Sequence, residues 1–236
     1  MVKIVATDID GTITVDRSTT KVDLDAVKYM NLLEEKGVLV VLVSSNALPL
    51  VVGLKKYFGL KGPCIGESGS LVYFDGRVYS LTKTTCSEAA RELVEKFSSC
   101  IEHSWQNKFR IHDYALKVRK NCIKLIDEVM IKINDLLRNR YPCKASYSGY
   151  AIHITPIDVS KAKALRFITE KLGVDMDEVV AIGDSVMDID MVKEAGLGVA
   201  VANADEELKS VADFVTSQNS SKGFIEVAKM ILEGRI

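Results

Sequence analysis

The chain has 236 residues, 47% of them apolar, and carries a net charge of −1. That is enough for one large domain or a core with a small second unit, and the charge balance argues against a general nucleic-acid binder, which would be basic. No apolar run is long enough to cross a bilayer, and the N-terminus enters a strand without a signal-peptide pattern, so a cytoplasmic protein with no membrane partner is expected.

The first strand is Lys3 to Asp8, an apolar, β-branched run of the kind that is buried on both faces of a parallel sheet. It ends in the turn Asp8-Ile9-Asp10-Gly11-Thr12. A polar flap, Thr14 to Lys21, follows. Asp23 is placed to cap a helix bearing Val27, Met30 and Leu33 at helical spacing, and Gly37 stops it. Val38 to Val43 reads as a second buried strand, ending in Ser44-Ser45-Asn46. Pro49 suits the first turn of the next helix, which Gly59 closes. A short strand at Cys64-Ile65 and a loop at Gly66 to Gly69 precede two strands joined by Asp75-Gly76, a strong hairpin signal.

The pattern then changes. Residues 82–155 read as helix (Ser87 to Phe97), strand (Phe109 to Val118), helix (Cys122 to Arg138) and a strand pair, Lys144 to Tyr147 and Tyr150 to Thr155, around Ser148-Gly149. None of these strands ends in a charged turn. This predicts a small α+β insertion, with residues 1–81 and 156–236 forming the core. The core pattern resumes with a helix opened by Asp158 to Lys161. A buried strand, Val179 to Ile182, follows and ends in Gly183-Asp184-Ser185 before a helix through Ala195. Strands Gly198 to Val201 and Phe214-Val215 and a final helix, Lys222 to Glu233, complete the alternation. Strands alternating with helices predict right-handed crossovers and a doubly wound, mostly parallel sheet, with its polar turns gathered at the carboxyl ends of the strands.

The chemistry sits in those turns. Asp8 and Asp10, two apart on an extended strand, project the same way. Their mutual repulsion is relieved by a hard cation such as Mg²⁺, which takes oxygen ligands. Gly11 permits a sharp turn, and Thr12 is expected to offer a hydroxyl and an amide at its mouth. Ser45 and Asn46 present donors at a helix start, a natural seat for an anion. Asp184 and Asp188, four apart at a helix start, are expected on one helical face. The cysteines, Cys64, Cys86, Cys100, Cys122 and Cys143, are odd in number, widely spaced and without a C-x-x-C. Reduced, mostly buried thiols are expected, with neither a zinc site nor a disulfide framework. Glutamine occurs only at 106 and 218, a scarcity that suits a thermophile.

Asp8-Ile9-Asp10-Gly11-Thr12 resembles the first motif of the haloacid-dehalogenase-like phosphohydrolases. Ser44 resembles the Ser/Thr of the second, Lys161 the lysine of the third, and Asp184 with Asp188 the acids of the fourth. The insertion lies between the second and third motifs, as in members with a C2-type cap. The compact insertion, the Gly66 to Gly69 loop and Ser148-Gly149-Tyr150-Ala151-Ile152-His153 look most like archaeal phosphoglycolate phosphatases. The resemblance implies Asp8 as nucleophile and Asp10 as acid and base, also facing the metal through its backbone carbonyl. It implies Ser44, Ser45, Asn46 and Lys161 on the phosphoryl group, and Mg²⁺ on Asp8, Asp10, Asp184 and Asp188, with Asp188 alternatively orienting Lys161. A small phosphate ester is the implied partner, in a monomer or homodimer. One departure is Met187, where this subgroup usually carries Asn. Arg110, His112, Lys117, Arg119, Tyr147 and His153 are the cap residues available to read a carboxylate or sugar, although His153 on an alternating strand reads as structural. A sugar-phosphate phosphatase, a phosphomutase or a non-catalytic phospho-ligand binder are the alternatives.

Overall fold

The computed structural model describes residues 1–236. Its strands are β1 (Ile4–Asp8), β2 (Leu39–Val43), β3 (Cys64–Gly66), β4 (Leu71–Phe74), β5 (Arg77–Ser80), β6 (Ile101–His103), β7 (Tyr114–Val118), β8 (Cys143–Tyr147), β9 (Ala151–Pro156), β10 (Val179–Gly183), β11 (Leu197–Ala200) and β12 (Phe214–Val215). The α-helices are α1 (Leu24–Glu35), α2 (Leu48–Phe58), α3 (Ser87–Lys96), α4 (Ile126–Arg138), α5 (Lys161–Leu172), α6 (Ile189–Glu194), α7 (Glu206–Lys209) and α8 (Ser220–Leu232).

An eight-stranded sheet runs β12-β11-β10-β1-β2-β3-β4-β5, parallel from β12 to β3 and antiparallel beyond. β1 lies between β2 and β10, in register Ile4 to Leu39 on one side and Ile4 to Val179 on the other. The chain winds outward from β1 both ways, so right-handed crossovers put helices on both faces. Every residue of β1 and β10 is buried, as an apolar run flanked by strands and covered by helices must be. β1 and β10 are neighbours although the chain leaves them in opposite directions, and ligands bind at the carboxyl ends of strands at such a point.

Local chemistry accounts for the element ends. Asp23 accepts the N–H of Asp25 and caps α1. Asp75 and Gly76 both have positive φ, the two-residue turn that matches strand twist.

The second sheet is four-stranded and antiparallel, β6-β7-β9-β8. It has its own apolar cluster, in which Leu93 of α3 and Ile133 of α4 meet Ile101, Leu116, Ile152 and Ile154. The protein is thus an α/β fold with a Rossmann-like core and a smaller α+β cap.

Three expectations need correction here. The strand predicted from Phe109 is confined to Tyr114–Val118. The Glu67 carboxylate accepts the backbone N–H groups of Ile111, His112 and Asp113, which removes them from any ladder. Short β6 was not foreseen; it runs into a single 3₁₀ turn at Trp105–Phe109, opened by Ser104 accepting the Gln106 N–H. The cysteines are not all reduced: Cys86 bonds Cys143, and Cys100 bonds Cys122, leaving only Cys64 free and buried. These partners are 57 and 22 residues apart and meet only once the cap folds.

Candidate active site

A cavity of about 210 Å³ opens at the carboxyl ends of β1, β2 and β10, with the cap as its far wall. Its lining includes Asp8, Asp10, Ser44, Ser45, Asn46, Lys161 and Asp184. Asp8 ends β1, Ser44 follows β2, Asp184 follows β10, and Lys161 opens α5. Parallel register brings these ends to one level. Gly11, with φ of +87°, lets the first turn pack against the fourth: a Cβ there would stand 2.2 Å from Asp184 Oδ2.

Lys161 Nζ donates to Asp8 Oδ1 at 2.6 Å and also to Asp188 Oδ1. Burial opposes the ammonium charge, but Asp188 and Asp8 more than offset it, so its pKa lies well above the usual lysine value. Asp8, Asp184 and Asp188 bring carboxylate oxygens within 4.8 Å of one another, all buried. Burial pushes Asp8 well up, relieved by Lys161 and reinforced by Asp188 and Asp184. Asp184 is pushed up to about 7 by burial and then by Asp188, with Arg17 opposing. Positive charge is in short supply at this rim, which is the condition a divalent cation corrects.

Asp10 is separate. Its Oδ2 accepts the Asn46 amide at 2.7 Å, and burial raises its pKa despite that bond. Asp10 is absent from the three-acid cluster. Asn46 also donates to Ser44 Oγ and accepts from Gln106 of the cap, so its amide group is engaged within the protein.

Asp188 does not line the cavity and is fully buried. It does not share a helical face with Asp184, because α6 begins only at Ile189. Its Oδ2 instead accepts the backbone N–H groups of Asp184 and Ser185, folding the loop back on itself. Thr12 is fully buried, with its hydroxyl unpartnered, and is not at the mouth of the turn.

Of the cap residues named from sequence, Lys117 and Arg119 pair with Glu102 on the exposed outer side of the cap. His112 is tied to Thr84 O and Ser80, and Tyr147 to Gly149 O. None of these four lines the cavity; Arg110 and His153 do. The Arg110 guanidinium pairs with Asp113 and donates to Ser45 O, reaching from the cap into the second turn. Sequence reasoning missed Gln106, Tyr150 and Arg17. Gln106 accepts the Ala47 N–H at 2.9 Å. Arg17, from the flap, places Nε 2.8 Å from Asp184 Oδ2 and also pairs with Asp205. Basic character in a flap after an acidic strand end was the only signal for it.

The family model of the haloacid dehalogenase-like hydrolases matches residues 5–109 and 102–228. The chain belongs to that family. A phosphoglycolate phosphatase of Staphylothermus marinus is 48% identical, with 99% of each chain covered. Another, of Sulfolobus acidocaldarius, is 37% identical over 100% of this chain and 99% of that one. The crystal structure of Thermoplasma acidophilum 0175 matches with a TM-score of 0.84 and 25% identity, over 98% of this chain and 99% of that one.

Proposed function

We propose that this protein is a Mg²⁺-dependent phosphatase that hydrolyses 2-phosphoglycolate to glycolate and phosphate through an aspartyl-phosphate on Asp8. The observation that carries the reading is the division of labour between two carboxyls on one strand end. Asp8 is oriented by Lys161, whereas Asp10 has a raised pKa and no cationic hydrogen-bond partner. The small cavity and the similarity to phosphoglycolate phosphatases direct it to a small ester.

The donor set fits the metal: hard oxygen ligands, buried, with too little positive charge around them. Asp8 and Asp184 would hold the ion, with the Asp10 backbone carbonyl. Asp188, both of whose oxygens are taken by Lys161 and backbone N–H groups, keeps the lysine in place. Bound there, Mg²⁺ supplies positive charge to the phosphoryl oxygens.

The residues perform the chemistry in two displacements. The Asp8 carboxylate attacks phosphorus while Ser44 Oγ donates to a phosphoryl oxygen. Asp10 gives its proton to the ester oxygen as the P–O bond breaks, releasing the alcohol. Asp10, now a carboxylate, takes a proton from water as that water attacks the phosphoaspartate. Phosphate leaves, and Asp8 is restored.

A panel of phosphate esters assayed with Mg²⁺ and ranked by kcat/KM tests this. 2-Phosphoglycolate should rank above glucose 6-phosphate and nucleoside monophosphates. If a hexose phosphate is hydrolysed more efficiently, the sugar-phosphatase reading replaces this one.

A further inference from the structure

Among the titratable groups lining the cavity, His153 takes no part in the two displacements. His153, on β9, is 7% exposed and lines the cavity. Its Nδ1 faces Asp113 Oδ1 at 3.4 Å, while its Nε2 has no partner in the protein. Asp113 is fully buried and held from several sides: it accepts from Ser68 Oγ at 2.9 Å and Thr155 Oγ1 at 2.6 Å, and pairs with Arg110. The imidazole is therefore anchored at one nitrogen by a fixed carboxylate, with the other left for the cavity.

The charges around the cavity show what that nitrogen is for. Three groups lining it can be cationic: Lys161, Arg110 and His153. Lys161 bridges Asp8 and Asp188, and Arg110 is engaged by Asp113 and the Ser45 carbonyl. The acids lining it, Asp8, Asp10 and Asp184, all belong to the core wall. His153 lies on the opposite, cap-side wall, away from those acids in the chain. Both ring nitrogens donate in the imidazolium form, so Asp113 at Nδ1 and an anion at Nε2 can be served by one ring.

We propose that His153 determines specificity: Nε2, with Nδ1 held by Asp113, donates a charge-assisted hydrogen bond to a carboxylate on the leaving-group side of a small phosphate ester. This rests on the phosphatase reading and adds the group that chooses among esters. An uncharged leaving group of the same size leaves Nε2 facing water and gains nothing. A hydrogen bond of this class corresponds to about a 10- to 100-fold preference.

The test compares 2-phosphoglycolate with ethyl phosphate, which replaces the carboxylate by a methyl group, on wild type, His153→Ala and His153→Gln with Mg²⁺. The readout is the ratio of the two kcat/KM values. Alanine should lower that ratio by about 10- to 100-fold through KM for 2-phosphoglycolate, and glutamine, which keeps a neutral donor near the Nε2 position, should recover part of it. An unchanged ratio, or equal loss on both esters through kcat, overturns the role of His153. Failure of wild type to hydrolyse either ester overturns the phosphatase reading instead. A second measurement needs no change at His153. The chain has three histidines, so the His153 ring resonance can be assigned with His103 and His112 variants in Asp8→Asn protein. 2-Phosphoglycolate should move it and ethyl phosphate should not; the same response to both overturns the proposal.

Discussion

Two buried ionic clusters face each other across the cavity, and their charge balances differ. On the core side, Asp8 and Asp188 share the buried Lys161, and Asp184 pairs with the half-exposed Arg17 at the edge. On the cap side, Asp113 is matched by Arg110 and satisfied by two hydroxyls. The core cluster holds a surplus of negative charge, and two of its carboxyls are pushed upward. In the cap cluster Asp113 is balanced by Arg110, and although burial works against the Asp113 charge, Arg110 and His153 more than compensate and hold its carboxyl below the usual range. An unbalanced cluster is incomplete until a ligand arrives. A balanced one is complete at folding and serves to hold other groups still.

The contrast can be broken from either side. The largest effect should follow Asp8→Asn, which is isosteric and cannot form the acyl-phosphate. Turnover should fall by roughly 10³-fold or more with the fold intact, and a variant keeping a tenth of wild-type kcat would remove Asp8 as nucleophile.

Next, the two acids of the fourth turn should separate. Asp184→Ala should weaken Mg²⁺ binding measured by calorimetry. Asp188→Asn should lower kcat while leaving Mg²⁺ affinity closer to wild type, since Asp188 serves Lys161. Equal losses of affinity would mean that both acids touch the ion.

On the cap side, Asp113→Asn leaves Arg110 buried without its partner. Breaking a buried pair costs about 3–5 kcal/mol, a fall in Tm of about 6–20 °C for a chain of this size. A shift under 2 °C would show that the cap cluster is not balanced as described.

Thiol counting gives a yes-or-no check on the cap. One thiol should react in denaturant without reductant and five after reduction, because four are paired. In the native protein Cys64 should stay unreactive at pH 8, since burial pushes its thiol up to about 12. Five reactive thiols before reduction would restore the expectation of a reduced cap.

The smallest effect is expected from Met187→Asn. Met187 lines the cavity but makes only a backbone bond, its N–H donating to Ser185 Oγ. Activity within about threefold of wild type is expected for a partly exposed site without a buried polar partner, and a tenfold loss would make Met187 a packing residue of that loop.

The same contrast explains what could be read from sequence. Asp8, Ser44, Lys161 and Asp184 each follow an apolar strand or open a helix, so a local pattern announces them and parallel register assembles them. The cap cluster has no such pattern. Asp113 meets Ser68, His153 and Thr155 at separations of 40 to 45 residues. The side chains involved are ordinary surface types until the cap encloses them. His153 looked structural because strand alternation says which face a residue takes, and nothing about what that face meets. Lys117 and Arg119, available from sequence to read a carboxylate, pair with Glu102 on the exposed side of the cap. Asp188 was found, but its bonds to the loop backbone were not, since they depend on a turn that an i, i+4 spacing does not describe.

Both disulfides have a mechanical consequence. They close loops of 57 and 22 residues entirely within the cap. By chain entropy alone such loops stabilise the folded unit by about 4 and about 3 kcal/mol. Neither crosses to the core, so the joints on either side of the cap carry no covalent tie beyond the backbone. The crosslinks stiffen the cap as a body and leave its attachment as compliant as the hydrogen bonds around Glu67 and Gln106 allow. Resistance to unfolding within the cap and the strength of its attachment to the core are thereby set by different parts of the chain.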